Sequence, residues 1–261
     1  MSIIADELGH LFYTVDGDGP PVVLVHAGVA DHHMWDAVVP ALAERHTVIR
    51  YDLRGFGESA IPSGPFSEAD DLLGLLDHLG HQRVRLVGAS WGGRVAVDFA
   101  LTHPDRVHSL ALFSAPWPRY GWSEDMVRYD EAETAALAAG DVDAAVEVNL
   151  DMWLRGPARG WDEVAEGLAD RLRGPLRTSL VNQEAVGAHS RGPSNGDIAT
   201  LAVPALVGVG RLDVADFQDI ARRYAAGIPG ASLVEFATAA HLVALDAPAE
   251  LAAALEPFLA R

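Results

Sequence analysis

The sequence contains neither cysteine nor lysine among its 261 residues. Without cysteine, the chain can form no disulfide bond, no thiolate metal site and no cysteine nucleophile. All 19 basic residues are arginine, which excludes Schiff-base chemistry and a lysine nucleophile. A nucleophile in this chain must therefore be a residue of another type.

Basic residues are also scarce relative to acidic ones. The 19 arginines are outnumbered by 37 aspartates and glutamates, which gives a formal net charge of −18. A surface of this sign repels phosphate backbones and anionic lipid headgroups, so we expect neither nucleic acid nor a membrane as a partner. No run approaches the ~20 consecutive apolar residues of a membrane-spanning helix. No signal peptide is predicted either, and a cytoplasmic protein is expected.

Length and composition fit one α/β domain. Hydrophobic residues make up 49 % and charged residues 21 % of the chain, which is an ordinary globular balance. Short β-branched runs, each followed by a helix-like stretch, are typical of a mostly parallel sheet flanked by helices. Buried strands are predicted at 21–27, 47–53, 84–89, 107–115, 203–210 and 232–236, with an edge strand at 10–17. Helices are predicted at 34–44, 68–80, 91–103, 216–227 and 247–260.

The alternation of strands and helices stops in the segment 116–200. This segment has no β-rich run, and its apolar spacing predicts helices within 125–140, 141–156 and 161–176. It contains four of the six tryptophans of the chain, Trp117, Trp122, Trp153 and Trp161. We therefore predict an α/β core built from 1–115 and 201–261, interrupted by a helical insertion at 116–200.

Ser90 breaks the apolar pattern of the stretch LVGASWGGRVAVDFA, residues 86–100. Gly88 and Gly92 flank it, in the order strand, tight turn, helix. A sharp strand-to-helix elbow needs such neighbours, because its serine adopts a strained backbone conformation and larger side chains would clash. The elbow places a hydroxyl at the C-terminal edge of the sheet, where open α/β sheets bind ligands. The pattern predicts a nucleophile at Ser90; the alternative is a glycine-rich turn with a capping serine.

A serine hydroxyl becomes a nucleophile when a base takes its proton and an acidic group orients that base. For a serine elbow the expected chain order is Ser, then Asp or Glu, then His. Asp213 directly follows the strand predicted at 203–210, and His241 lies in the loop after the last predicted strand. Asp213 is the preferred acid because it comes first after the strand, and Asp216 is the alternative. Either aspartate could instead cap a helix, and His241 could be a loop histidine bound to backbone.

Two backbone N–H groups are needed to hold an oxyanion. Trp91 supplies one, because it directly follows the predicted nucleophile. The second is predicted at Gly28, in the loop of small residues after the first buried strand. The histidines in and near this loop, His26, His32 and His33, could suggest a metal site, but no motif of the type H-E-x-x-H is present. We therefore expect no metal and no cofactor.

Five segments, in this order, resemble the α/β-hydrolase superfamily. They are VHAG, YDLRGFGES, GASWGG, VGVGRLD and AAHLVALDAPAEL. The resemblance covers nearly the whole chain and is greatest for the small cap-bearing esterases, lactonases and cofactor-free haloperoxidase-like members. It implies an α/β-hydrolase fold in which 116–200 forms a cap. It also implies that Ser90 is the nucleophile, His241 the general base and Asp213 its acid, with the N–H groups of Gly28 and Trp91 as oxyanion hole.

The sequence departs from the family pattern at a few positions. Ala27 stands where the family usually has a glycine after the histidine of the oxyanion segment. Ala240 stands where a glycine usually precedes the catalytic histidine. An aspartate at position 90 would have indicated a haloalkane dehalogenase, and this chain has serine there. The charged segment DLRGFGES, residues 52–59, is interpreted as a structural turn, because its two glycines suit a tight loop.

The resemblance implies a serine hydrolase of small, fairly apolar carboxylic esters or lactones, with water as second substrate. Trp117, Met152 and Trp153 are the candidate substrate-binding residues of the cap, and ordinary helix packing is the alternative for each. Two other classes remain open. One is a carbon–carbon lyase or hydrolase that uses the same site, and the other is a receptor-like protein that binds a ligand there.

Overall fold

A computed structural model describes residues 2–6, 9–192 and 196–260. The strands of this part are β1 (Ser2–Asp6), β2 (Gly9–Asp16), β3 (Pro21–Val25), β4 (Thr47–Tyr51), β5 (Val84–Ala89), β6 (Val107–Phe113), β7 (Ala205–Gly210) and β8 (Ser232–Phe236). They form one sheet in the order β1-β2-β4-β3-β5-β6-β7-β8. β2 pairs antiparallel with β1 and β4, and the other pairs are parallel. The predicted α/β class with a mostly parallel sheet is confirmed.

Helices connect the strands and fill the insertion. They are α1 (Val39–Ala43), α2 (Glu68–Leu79), α3 (Trp91–Thr102), α4 (Glu124–Ala138), α5 (Val142–Asn149), α6 (Leu168–His189), α7 (Ala215–Gly227), α8 (Val243–Asp246) and α9 (Pro248–Leu259). Among the described residues, no helix combines the length and the apolar character needed to span a bilayer.

The sheet is buried on both faces, as its continuous apolar strands require. Alternate residues of β3 belong to different hydrophobic clusters: Val22 and Leu24 to one, Val23 and Val25 to the other. Because successive side chains of a strand point to opposite faces, the clusters lie on the two sides of the sheet. Buried residues of α2, α3 and α7 belong to the cluster of Val23, and those of α1 and α9 to the cluster of Val22.

The observed elements differ from the predicted ones at three places. β1 was not predicted, because its five residues form a short edge strand with Ile3 exposed. The helix predicted at 34–44 is a 3₁₀ turn, His32–Trp35, followed by the short α1. The helix predicted to end at 176 instead continues to His189.

The long helix α6 passes through Pro175, a residue that normally ends or bends a helix. Leu172, Leu176 and Leu180 follow one another at four-residue spacing around this proline, and all three are buried. Their common face packs into the hydrophobic cluster of Val22. Burial of this face offsets the backbone hydrogen bond that the proline cannot make.

Candidate active site

Ser90 lies in a strained turn between β5 and α3. Its backbone has φ 50° and ψ −120°, a region that residues other than glycine rarely adopt. The Ser90 N–H donates to the carbonyl of Phe113, at 2.8 Å, which ties the turn to the end of β6. This hydrogen bond to the sheet stabilises the strained turn. The Ser90 hydroxyl then lies above the C-terminal edge of the sheet.

The glycines on either side of Ser90 are required by close backbone packing. A Cβ at Gly88 would lie 2.3 Å from the carbonyl oxygen of Gly92. A Cβ at Gly92 would lie 2.3 Å from the carbonyl oxygen of Val25 and 2.4 Å from that of His26. Neither position can therefore hold a larger residue unless the elbow moves away from β3.

Substitution of Gly92 is expected to disrupt the elbow. The added Cβ meets backbone atoms that cannot turn away, so Gly92→Ala should lower the free energy of unfolding by about 3 kcal/mol or more. Gly74→Ala is the matched control, because Gly74 lies within α2 and a Cβ there meets nothing within 4 Å. That change should raise the free energy of unfolding by up to about 1 kcal/mol. Urea denaturation followed by circular dichroism measures both, and similar effects of the two changes would contradict the argument.

Three polar side chains from separate loops form one hydrogen-bonded line. His241 Nε2 lies 2.8 Å from Ser90 Oγ. On its other side, His241 Nδ1 lies 3.1 and 3.0 Å from the two carboxylate oxygens of Asp213. A carboxylate only accepts hydrogen bonds, so Nδ1 carries the proton and Nε2 is left to accept the serine hydroxyl. His241 and Asp213 are both 2 % exposed.

The two candidate aspartates have different partners. Asp213 also accepts hydrogen bonds from Ser114 Oγ at 2.8 Å and from the Val214 N–H at 2.7 Å, which fix the carboxylate in place. Asp216 instead accepts from the N–H and the hydroxyl of Ser123, at 2.9 and 2.7 Å. Ser123 precedes α4 in the insertion. The structure thus places Asp213 against the imidazole and Asp216 against the insertion.

Aromatic rings hold the imidazole of His241 from two sides. The Trp153 and Phe217 ring centroids each lie 4.5 Å from that of His241. Trp153 comes from the insertion and Phe217 from α7. These contacts restrict the ring to the plane in which it reaches both Ser90 and Asp213.

A buried ion pair braces the loop that carries His241. Asp246 accepts a hydrogen bond from the Ala240 N–H at 2.8 Å and is bound by Arg159 of the insertion at 2.8 and 2.9 Å. Burial raises the pKa of Asp246, while the Arg159 guanidinium and the Ala240 N–H oppose this rise. The pair was not predicted, since its members lie 87 residues apart and carry no recognisable local pattern.

Gly28 and Trp91, the residues predicted to form the oxyanion hole, lie next to each other, and Trp91 directly follows Ser90. Gly28 is a central residue of the turn that Ala30 closes by donating to the Ala27 carbonyl, at 3.1 Å. The turn itself does not use the Gly28 N–H. Trp91 is the first residue of α3, and N–H groups in the first turn of a helix have no partner within it. A Cβ at Gly28 would lie 3.4 Å from Cβ of Trp91, so the Gly28 backbone lies close to the residue that follows Ser90.

The charged segment after β4 is tied up in loop contacts. Asp52 accepts hydrogen bonds from His32 Nδ1 at 2.9 Å and from the Glu58 N–H at 2.9 Å. Although burial raises the pKa of Asp52, these hydrogen bonds hold it below its ordinary value. Arg54 forms a bidentate pair with Asp71, at 2.8 and 2.9 Å. These hydrogen bonds and the ion pair hold the loop in place, and none of them involves Ser90.

Asp31, His32 and His33 are close enough to suggest a metal site, with ligand atoms within 4.8 Å of one another. Asp31 Oδ1 already accepts the His33 N–H at 2.9 Å and caps a 3₁₀ turn. His32 Nδ1 is bound to Asp52. The group is therefore accounted for by the contacts that shape the loop.

His26 is buried and neutral, and it joins the ends of β3 and β4. Its Nδ1–H donates to the Ala27 carbonyl at 2.8 Å, and the Leu53 N–H donates to its Nε2 at 3.0 Å. Protonation of Nε2 would break the second bond. Burial lowers the pKa of His26 below its ordinary value, although nearby carboxylates oppose this.

The pKa shift of His26 predicts a loss of stability in acid. Below its ordinary pKa of 6.5, the histidine of the unfolded chain binds a proton that the folded protein does not, so stability falls as the pH falls. His26→Gln removes this group, so the cost of the substitution should shrink as the pH is lowered. The change should be at most about 1.4 kcal/mol per pH unit, measured by urea denaturation of both proteins between about pH 8 and about pH 5.5. A constant cost would contradict the prediction.

A cavity of about 490 Å³ opens above the line of Ser90 and His241. Its wall is mainly apolar and includes Gly28 and Trp91 on the sheet side and Trp153 from the insertion. This volume lies within the roughly 300–1,000 Å³ of small-molecule sites. The cavity therefore brings the predicted nucleophile, base and oxyanion-hole residues to one enclosed space.

Two of the three predicted cap residues lie elsewhere. Trp117 packs on Tyr224, with ring centroids 4.8 Å apart, and lines a separate cavity behind Trp91. Met152 packs against the hydrophobic cluster of Val23. Neither is among the described residues that line the cavity above Ser90. The sequence does not distinguish them from Trp153, because helix packing and ligand binding both require large apolar side chains.

Comparisons with known proteins agree with this architecture. The family model of the alpha/beta hydrolase fold matches residues 20–248. The chain is 30 % identical to the pimeloyl-[acyl-carrier protein] methyl ester esterase of Aeromonas hydrophila over 213 residues, which are 76 % of this chain and 78 % of that protein. It is 42 % identical to the soluble epoxide hydrolase of Corynebacterium sp. (strain C12) over 105 residues. That match covers 39 % of this chain and only 37 % of that protein.

Among solved structures, the chain is similar to the enol-lactonase from Burkholderia xenovorans LB400. The TM-score is 0.83, the sequence identity is 26 %, and the alignment covers 100 % of both chains. The similarity therefore includes the insertion as well as the α/β core.

Proposed function

This chain belongs to the α/β-hydrolase family, and we propose that it is a serine hydrolase of small, largely apolar carboxylic esters or lactones. One observation carries this proposal. The hydrogen-bonded line from Asp213 through His241 to Ser90 ends at the floor of an apolar cavity. That arrangement activates a serine hydroxyl next to bound substrate.

In the first half of the proposed reaction, Ser90 Oγ attacks the carbonyl carbon of the ester. His241 Nε2 accepts the hydroxyl proton, and the Asp213 carboxylate stabilises the resulting imidazolium. The N–H groups of Gly28 and Trp91 donate to the oxyanion of the tetrahedral intermediate. His241 then returns the proton to the leaving alcohol as the bond between carbon and alkoxy oxygen breaks. The product is an acyl-enzyme on Ser90.

In the second half, water replaces the alcohol. His241 accepts a proton from the water as its oxygen attacks the acyl carbon, and the same two N–H groups stabilise the second oxyanion. Collapse of this intermediate breaks the acyl bond to Ser90, and His241 protonates the serine oxygen. The net reaction consumes one water and requires no external oxidant or reductant.

The substrate class rests on the cavity and on the relatives. An apolar wall favours uncharged acyl or alcohol groups. The insertion, which we infer to act as a cap, supplies part of this wall through Trp153. The names of two relatives refer to an enol-lactonase and a methyl ester esterase, and the two halves proposed here can cleave either kind of bond.

Turnover of simple esters and lactones tests the proposal. A panel of 4-nitrophenyl alkanoates and γ- and δ-lactones should show many turnovers per enzyme, with a burst of nitrophenol equal to one enzyme equivalent when deacylation is slower. Cleavage of a cyanohydrin without ester hydrolysis would instead indicate the lyase. Tight ligand binding with no turnover would indicate a receptor-like protein.

A further inference from the structure

Part of the wall of the cavity above Ser90 is polar on the side of the insertion. Tyr129 and Glu133 of α4, Asn149 of α5 and Trp153 all line it. Asn149 is 2 % exposed and Trp153 is 9 % exposed. We call these four residues the polar cluster. Neither the fold nor the chemistry at Ser90 requires polar groups at this position.

The members of the polar cluster bind one another closely. Trp153 Nε1–H donates to the Tyr129 hydroxyl oxygen at 2.9 Å. The Tyr129 hydroxyl lies 2.7 Å from Glu133 Oε2 and 2.7 Å from Asn149 Oδ1. The Asn149 Nδ2 group donates to Glu133 Oε2 at 2.5 Å and to the Ala145 carbonyl at 2.9 Å.

Counting protons shows that this cluster holds more acceptors than donors. The Tyr129 hydroxyl has one proton, so it can donate to Glu133 or to Asn149 but not to both. Burial and the nearby Glu133 charge raise the pKa of Tyr129 well above its ordinary value of 10.0, so the hydroxyl stays neutral. Both amide protons of Asn149 are already used. Within the described residues, Glu133 Oε1 receives no hydrogen bond and Glu133 has no arginine partner.

The opposite wall of the cavity adds another acceptor. Glu68, at the start of α2, also lines the cavity, and burial raises its pKa. Arg54 lines the same cavity, but its guanidinium is bound in the bidentate pair with Asp71. The cavity thus combines apolar walls with carboxylate acceptors. It disfavours a ligand that carries its own carboxylate.

We propose that the polar cluster binds a hydrogen-bond donor on the substrate, a hydroxyl or an amide N–H, at the end remote from the scissile carbonyl. A donor from the substrate satisfies the acceptor that the cluster leaves unpaired. An alkyl group at the same place would displace solvent from this half-buried carboxylate without donating a hydrogen bond to it, which is costly. The preferred substrates are therefore hydroxy- or amido-substituted esters or lactones. This inference rests on the proposed hydrolase function and specifies its substrate.

Matched methyl esters test the inference. The series comprises ω-hydroxyalkanoates of four to eight carbons, the alkanoates in which a methyl replaces the hydroxyl, and the ω-methoxy analogues. An ω-acetamido series separates amide from hydroxyl recognition. At the best chain length we expect the wild type to prefer the hydroxyl or acetamido ester by about tenfold or more in kcat/KM over its methyl counterpart, measured by pH-stat titration.

Glu133→Gln tests the source of this preference. The amide keeps the shape of the carboxylate but adds donors that can bind a methoxy oxygen, so the preference for the hydroxyl ester over the methoxy ester should fall to within about twofold of unity. Glu131→Gln is the matched control, because Glu131 is an exposed carboxylate of the same helix, and it should keep the wild-type preference. The Ser90→Ala protein provides a second measurement, in which calorimetry should show tighter binding of the donor-bearing ester than of its methyl counterpart.

The outcomes of these experiments test the donor-binding inference and the hydrolase proposal separately. Ester turnover with no preference for a donor, or a preference for the methoxy ester, would overturn the inference and leave the hydrolase proposal in place. A donor preference that persists in Glu133→Gln would also overturn it. If no ester is hydrolysed, the hydrolase proposal fails, and the calorimetric comparison alone decides whether the cavity selects a donor.

Discussion

Replacing Ser90 with alanine is expected to lower kcat for ester hydrolysis by about 10⁴-fold to 10⁶-fold. Alanine removes the attacking oxygen, while the two oxyanion N–H groups and the cavity remain. The residual rate is therefore that of water held in the site. The free energy of unfolding should change little, because the strained backbone at φ 50° is the same in both proteins and only one hydrogen bond, that to His241, is lost.

Covalent labelling separates this effect from misfolding. A fluorophosphonate should add one phosphonyl group to the wild type, read as intact mass, and none to Ser90→Ala. Ser232→Ala is the matched control, because Ser232 is an exposed serine of β8, and it should label and turn over as the wild type does. Labelling of the folded Ser90→Ala protein would show that another residue is the nucleophile.

Asp213→Asn should lower kcat by about 10⁴-fold. The carboxamide can donate to Nδ1 of His241, which would move the proton to Nε2 and remove the acceptor for the serine hydroxyl. The fold should persist, because the side chain keeps its shape and its neighbours Ser114 and Val214. The KM should change much less than kcat, since Asp213 does not touch the cavity.

Asp216→Asn distinguishes the two aspartates. This residue binds Ser123 and not His241, so kcat should stay within about tenfold of the wild type, while the free energy of unfolding falls by about 1 to 2 kcal/mol. Steady-state kinetics and urea denaturation of the two variants give both readings. A large loss of kcat in Asp216→Asn with little in Asp213→Asn would reverse the assignment of the acid.

The sheet could be predicted from the sequence because local patterns determine its strands. Five of the six predicted buried strands begin at the residue where the structure begins them, namely at 21, 47, 84, 107 and 232. Ends were less accurate, since a strand ends where pairing stops and not where apolar residues stop. The helix α6 was predicted to end at 176, one residue after Pro175, but it continues to His189. Its buried leucines pack on the hydrophobic cluster of Val22, a tertiary contact that the local sequence does not show.

The residues of the candidate site also differ in whether a local sequence pattern predicts them. Ser90 has a signature within five residues, because only glycines fit where Gly88 and Gly92 meet neighbouring backbone. His241 and Asp213 could be predicted from chain order. The polar cluster could not, because Tyr129 and Asn149 meet only when α4 packs on α5, and a tyrosine on a helix has no signature of its own. Trp153 was predicted as lining, but its stacking on His241 depends on the same packing.

The turn that carries Asp213 also anchors the insertion, three residues later, through Asp216 and Ser123. A chimaera that exchanges the helical insertion between relatives must therefore keep the contact between Asp216 and Ser123. A chimaera that replaces Ser123 removes the hydroxyl that donates to the Asp216 carboxylate, which is 5 % exposed, and leaves it at most the backbone N–H at position 123 as a donor. We expect this loss to loosen the turn that carries Asp213, and the proposed ester hydrolysis to slow as a result. The segment that can be grafted as a unit therefore begins after Ser123 and not at residue 116.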